Sequence, residues 1–249
     1  MTIFLAVYIT LIGLILGSFF NVVALRVPAG ESLLHPPSHC TGCGTRLKVR
    51  DLLPVLSYML SRGRCRHCGA RVSPLYLLGE IATGLLFLGV YLQFGLTGRG
   101  VTGLLLVSLA VIVTVADLKY MLIPNKVLLF FLPLLLIAVV LFPEGPLWSH
   151  LLGGAAGGTM IFMLALFGGM GMGDVKLMAL LGWVLGVPHV ILAFLIACTL
   201  GSIIGGGLML TGRIARKQPV PFGPWLAAGA LIAFSYGSHL ISGYLALIR

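Results

Sequence analysis

The sequence predicts an all-α, polytopic membrane protein of about eight transmembrane helices, carrying a small zinc-ribbon-like loop on its cytoplasmic side. Three observations predict it: the composition, the spacing of long apolar runs, and the placement of the basic residues. Apolar residues make up 59% of the 249-residue chain and charged ones 9%, against roughly 25% charged in a typical soluble domain. A soluble fold of this length cannot hide so much apolar surface, so the bilayer is the solvent. The 34 glycines agree, because small residues let membrane helices approach closely. Gly153, Gly154, Gly157 and Gly158 form two overlapping G-x-x-x-G pairs, and Gly201 with Gly205 forms another.

Apolar runs stand at about 3–25, 75–95, 101–117, 127–142, 150–168, 175–188, 189–211 and 225–247. A span needs roughly 20 residues, so the fourth and sixth runs are short, and only Pro188 and His189 divide the sixth from the seventh. The first run is too long for a signal h-region and has no basic stretch before it, which reads as a retained first span.

Basic residues test the count. With the Arg26–Pro74 segment inside and each span switching sides, the inner face receives Arg26, Arg46, Lys48, Arg50, Arg62, Arg64, Arg66 and Arg71, then Lys119, Lys126, Lys176, Arg213, Arg216 and Lys217. The outer face keeps Arg99 and Arg249. Such a bias is the positive-inside pattern, and it puts Asp117 and Asp174 at the same inner edge. The net charge of +10 is therefore a matter of topology and anionic lipid, and no nucleic-acid partner is expected.

Two C-x-x-C pairs, Cys40-Thr41-Gly42-Cys43 and Cys65-Arg66-His67-Cys68, stand 21 residues apart in the one sizeable extramembrane segment, each followed by glycine. Four thiolates at such spacing suit one tetrahedral zinc ion in a closed, structural site. A segment too small for a core of its own would draw folding energy from the metal. Free or redox-active thiols are the alternative, and Cys198, within an apolar run, reads as a buried small residue.

Six acids are present: Glu31, Asp51, Glu80, Asp117, Glu144 and Asp174. Glu144 reads as a solvated turn residue, while Glu31 and Asp51 read as paired within the basic loop. Glu80, Asp117 and Asp174 lie in or at the ends of spans, where an ionisable group is costly and is a functional candidate by default. Asp174 sits in Gly171-Met172-Gly173-Asp174-Val175-Lys176; glycines before a carboxylate at a helix start give a bound peptide close backbone access. Asp117 is followed by Lys119, Ile123, Pro124 and Asn125. Two carboxylates within hydrogen-bond reach cannot both ionise easily, so one keeps a proton as general acid while the other activates water. The bland alternative has each aspartate capping a helix or pairing with a lysine.

In order along the chain, Gly17-Ser18-Phe19-Phe20-Asn21-Val22-Val23, Arg26-Val27-Pro28, the double C-x-x-C loop with Asp51-Leu52-Leu53-Pro54, Glu80-Ile81-Ala82-Thr83-Gly84, Asp117 with Ile123-Pro124-Asn125, Gly171-Met172-Gly173-Asp174 with Lys176, and Pro221-Phe222-Gly223-Pro224 resemble the type 4 prepilin peptidases. These are membrane aspartyl proteases of the GxGD type that are also N-methyltransferases. The resemblance implies a bifunctional enzyme of the cytoplasmic (inner) membrane, acting on prepilin or pseudopilin precursors. It would cleave their basic leader after a glycine and methylate the new amino terminus with S-adenosylmethionine. It carries over Asp117 and Asp174 as the catalytic pair. Gly171, Gly173, Lys176, Glu80 and Asn125 are expected to support the site, and Cys40, Cys43, Cys65 and Cys68 to hold the metal. The expected division is a first span at 1–25, the four-cysteine loop at 26–74 and a peptidase core at 75–249. Residues that bind S-adenosylmethionine are not readable; the Ser18–Asn21 patch, the loop and Glu80 are candidates.

Two other classes remain. An ion-coupled transporter could use Asp117, Asp174 and Glu80 as a relay under a regulatory metal loop, but would place them near the midplane. A non-catalytic assembly scaffold would not need the aspartates.

Overall fold

A computed structural model describes residues 2–168, 170–212 and 220–248. The basic residues Arg213, Arg216, Lys217 and Arg249 of the charge count lie outside them. The chain divides into two compact units, 1–95 and 96–249.

In the first unit, α1 (Thr2–Arg26) packs against α3 (Pro74–Phe94). The seam is built on glycine: a Cβ on Gly13 would meet the Cα of Gly84 at 2.9 Å, and one on Gly17 would meet Oγ1 of Thr83 at 2.8 Å. Between these helices the chain makes a short 3-10 turn (Val49–Asp51) and the five-residue helix α2 (Leu56–Leu60). Asp51 holds this turn, accepting from the Lys48 amide at 3.1 Å and pairing with Arg66 at 3.6 Å, as expected of a loop acid.

The second unit contains α4 (Gly98–Tyr120), α5 (Asn125–Leu141), α6 (Leu147–Leu166), α7 (Met172–Leu185), α8 (Val187–Leu210) and α9 (Gly223–Ile248). Helix α4 is its interior element: 72% of its apolar stretch is buried, against 17% to 28% for α6, α8 and α9. Leu106, Val107, Leu109, Ile112, Val113 and Ala116 of α4 form the centre of that core. Helix α6 meets α7 through the expected small residues, Gly153 facing Gly182 and Gly157 facing the Met178 carbonyl. Glu144, read as solvated, instead pairs with Arg99 at 2.8 Å, each side chain 38% exposed, and partial burial raises its carboxyl above the usual range.

Two expectations are corrected. The cysteine loop is not a zinc ribbon. Among the described residues there is no β-sheet, only isolated antiparallel bridges between His39 and Arg46 and between Arg64 and Arg71. Each bridge closes one C-x-x-C turn, and the intervening residues go into the 3-10 turn and α2, leaving no paired strands to form a ribbon. The second concerns the expected count of about eight crossing helices. Apolar helices do stand at all eight runs, but among the described residues six are long and apolar enough to cross a membrane. Helix α5 has 17 residues and an internal Pro133. Helix α7 has 14 residues, about 21 Å at 1.5 Å per residue, short of a hydrocarbon core of roughly 30 Å. It ends at Gly186, whose φ of 75° breaks the path before Val187 and Pro188 open α8. With six such helices, the chain is a polytopic membrane protein.

Candidate functional site

Asp117 stands in the last turn of α4, which ends three residues later at Tyr120. Met121 adopts the left-handed conformation (φ 52°, ψ 40°) and its amide donates to the Asp117 carbonyl at 2.8 Å. A non-glycine residue with positive φ is uncommon, and here it turns the chain sharply. Ile123 and Pro124 then bury themselves, and Pro124 leads into α5. The Asp117 side chain is 5% exposed. Its Oδ2 accepts a hydrogen bond from the Gly223 amide at the start of α9, at 2.8 Å.

Asp174 lies in the first turn of α7, one residue beyond Gly173. Its Oδ2 accepts from the Gly171 amide at 3.1 Å. A carboxylate at the third helical position that reaches back to the residue before the helix is the acidic half of a capping box, and the helix dipole favours its negative charge. Gly173 packs closely: a Cβ there would meet the Ile123 Cβ at 3.0 Å, so Ile123 would have to give way. Lys176, one turn into α7, donates through Nζ to Oδ1 of Asn125 at 2.9 Å.

These contacts bring Asp117, Asn125, Gly171, Gly173, Asp174 and Lys176 to one end of the second unit, where the turn after Asp117 meets the start of α7. Gly223 was not among the expected site residues. Its only sequence signal is the Pro221-Phe222-Gly223-Pro224 turn, which says nothing of what the turn touches. Glu80 belongs to the first unit. There its Oε2 accepts from the Val55 amide at 2.8 Å, and the Ser18 hydroxyl donates to the same carboxylate. Asn21, one turn on from Ser18, is 1% exposed and donates to the Tyr76 carbonyl at 2.9 Å.

The four cysteines form the second cluster. Their sulfurs all lie within 4.8 Å of one another, and those of Cys40 and Cys68 are 3.8 Å apart. The two halves repeat one geometry. The amides of Gly44 and Gly69 donate to the carbonyls of Cys40 and Cys65 at 2.8 and 2.9 Å. The amides of Gly42 and His67 point at the sulfurs of Cys40 and Cys65, 3.4 and 3.5 Å away. Electrostatics divide the thiols. The Thr45 hydroxyl and amide lower Cys43 to about 6, and the Cys68 and His67 amides lower Cys65. The Ala70 amide would lower Cys68 too, but hydrogen bonding with Cys43, burial and the other two sulfurs outweigh it and push this thiol up to about 11. Four such thiols can hold one metal ion, whose charge would relieve the crowding.

Comparisons with known proteins agree in direction. Residues 11–94 match the model of the bacterial peptidase A24 N-terminal domain, and 104–206 that of the type IV leader peptidase family. The prepilin leader peptidase/N-methyltransferase of Bacillus subtilis is 40% identical over 235 residues, covering 94% of this chain and 95% of the relative. That of Xanthomonas campestris is 31% identical, covering 94% and 92%, and that of Myxococcus xanthus 37%, covering 85% and 66%. No solved structure matches the chain.

Proposed function

Because this chain belongs to the type IV leader peptidase family, we propose that it cleaves the leader of type IV pilin-like precursors with Asp117 and Asp174, and then N-methylates the new amino terminus. The single observation that carries the catalytic pairing is the convergence of the end of α4 and the start of α7 on the Ile123–Gly173 contact.

Each carboxylate commits one oxygen to a backbone amide, Asp117 to Gly223 and Asp174 to Gly171. That fixes its orientation and leaves the second oxygen for chemistry. One aspartate, ionised, takes a proton from water as the water attacks the scissile carbonyl. The other, protonated, gives its proton to the departing amide nitrogen. S-adenosylmethionine would supply the methyl group for the freed amine as a co-substrate, with S-adenosylhomocysteine and a proton as the other products. Gly171 and Gly173 leave room for a peptide beside Asp174. Lys176 and Asn125 brace the two helix starts, and Glu80 supports the cysteine loop.

The cysteine cluster fits zinc. A tetrahedral ion with zinc–sulfur bonds of about 2.3 Å requires sulfurs about 3.8 Å apart, the separation of Cys40 and Cys68. Four protein ligands leave no open position, so the metal would hold the loop together rather than take part in cleavage. The excess of Lys and Arg beside the cysteine loop and the Asp117 end supports a cytoplasmic, inner-membrane orientation for both. A transporter reading is disfavoured, because Asp117 and Asp174 lie at helix ends rather than midway along their helices.

The test is cleavage of a purified precursor by wild type, Asp117→Asn and Asp174→Asn. Both variants are expected to lose about 10²–10⁴-fold in rate. Retained cleavage in either overturns the two-aspartate mechanism, and cleavage without methylation when S-adenosylmethionine is supplied removes the second activity.

A further inference from the structure

The first unit exposes an apolar face outside its long helices. Leu52, Leu53, Leu56, Met59 and Leu60 are 42%, 46%, 58%, 65% and 76% exposed. Leu56, Met59 and Leu60 share one side of α2 by their spacing, and Leu52 and Leu53 stand just before it. Large contiguous apolar surfaces on extramembrane segments mark a binding surface.

Two further features identify what covers this face. Beside it lies an open cleft of about 490 Å³ lined by Tyr58, Arg62, Arg64, Arg71 and Ser73. Between Glu31 and Glu80 the chain holds seven Lys or Arg and one acid, Asp51, which is already paired with Arg66. The cleft therefore has uncompensated positive charge. Second, the segment is held at the edge of the helix pair. The Val55 amide is bound to Glu80 in the second turn of α3, and two residues before it Leu78 is 60% exposed on the same helix. The Val55–Glu80 bond thus ties the apolar segment to the start of the apolar helix α3, with Arg62, Arg64 and Arg71 beside it.

We propose that the Leu52–Leu60 segment lies in the interfacial layer of the membrane and binds an anionic phospholipid. Its leucines and Met59 sit among the acyl chains, and Arg62, Arg64 and Arg71 meet the headgroup phosphate. An amphipathic element of this size is too small to hold a membrane alone. Tethered between two spans it does not need to, and the basic residues supply selectivity for anionic over neutral lipid, about fivefold for each residue near the surface. The segment holds the four-cysteine cluster flat against the bilayer. This inference stands apart from the catalytic reading, and its test does not use activity.

The test uses full-length Met59→Trp protein in vesicles of neutral lipid with or without phosphatidylglycerol, its emission taken as the difference from wild type, which has Trp148, Trp183 and Trp225. In anionic vesicles the added emission is expected to shift to the blue, to be quenched by lipid brominated near the headgroup, and to be protected from aqueous iodide. Adding Arg62→Gln and Arg71→Gln should remove most of the dependence on phosphatidylglycerol while leaving the wild-type emission intact. Leu60→Trp repeats the measurement should Met59→Trp fail to fold. Emission open to iodide and untouched by brominated lipid overturns the proposal. So does protection from both quenchers, which means that protein covers the face, and protection that appears only with added precursor, which assigns it to the substrate. Loss of the phosphatidylglycerol effect on adding inorganic phosphate at constant ionic strength makes the cleft a free-phosphate site and also overturns it.

Discussion

The backbone amide of Gly223 donates to Oδ2 of Asp117 at 2.8 Å, across 106 residues of sequence. The same glycine has no room for a side chain, since a Cβ would stand 2.8 Å from that oxygen and 3.2 Å from Cγ. The start of α9 is thus a mould for the carboxylate at the end of α4. A carboxylate buried in an apolar unit needs such a donor, because an unpaired one carries the full cost of desolvation.

Gly223→Ala tests the mould. The added methyl must displace either the amide or the carboxylate. A misplacement of about 1 Å can cost about 10²-fold in rate. Precursor cleavage is expected to fall by that order, while membrane insertion and the elution profile of the purified protein stay as in wild type. A fully active Gly223→Ala would show that the Asp117–Gly223 contact does not set the reacting geometry.

Gly173 and Ile123 form a coupled pair, since a Cβ at 173 would meet the Ile123 Cβ at 3.0 Å. Gly173→Ala should slow cleavage, Gly173→Val should slow it further, and Ile123→Ala should restore part of the Gly173→Ala loss by making room. Residues in contact show interaction energies of about 0.5–3 kcal/mol in such cycles. Cleavage rates for the four proteins of the alanine cycle measure the coupling; additive effects would separate the start of α7 from the Asp117 turn.

Metal removal should act on the loop and release of the metal should follow acid. Thiol ligands bind as thiolates, so a metal must drive off their remaining protons. The high Cys68, at about 11, keeps its proton at neutral pH, whereas Cys43, at about 6, is largely ionised. Adding zinc to chelator-stripped protein is therefore expected to release protons, and affinity should fall as pH is lowered and the thiols reprotonate. Elemental analysis should find one zinc per chain in wild type and none after replacing all four cysteines by serine. The stripped protein should be cut by protease between residues 40 and 68 faster than the loaded one.

Glu80→Gln and Glu80→Ala should part company. Glutamine retains a carbonyl oxygen for the Val55 amide, whereas alanine leaves that amide without its acceptor, at about 1–3 kcal/mol where the group is buried. Protease nicking near residue 55 is expected to rise clearly in Glu80→Ala and little in Glu80→Gln. Equal nicking in wild type and Glu80→Ala would show that the Val55 contact does not hold the loop.

Much of the local structure was legible. The eight apolar runs became eight helices because a residue buried in lipid must satisfy its backbone within its own segment, which makes helix a local outcome. The two C-x-x-C pairs brought four sulfurs within 4.8 Å, since each turn depends on only four residues and the glycine that follows. The ribbon was a wrong inference from the same spacing. Ligand spacing specifies the turns but not whether the 21 residues between them pair as strands, and here they bend through Val49–Asp51 and α2 instead. The run at 175–188 did not show that α7 stops at 14 residues, because an apolar run records burial without saying whether lipid or neighbouring helices provide it.

By itself, then, the sequence determined a membrane chain with carboxylates at two helix ends and a loop that gathers four thiols, because composition and short-range spacing encode those directly. Only the tertiary structure decided that Gly223 would hold Asp117, that Gly173 would rest on Ile123, and that Glu80 would take the Val55 amide. Each of those contacts joins segments at least 25 residues apart. Such contacts exist only once whole helices have packed, and no local pattern of residues records which helix ends will meet.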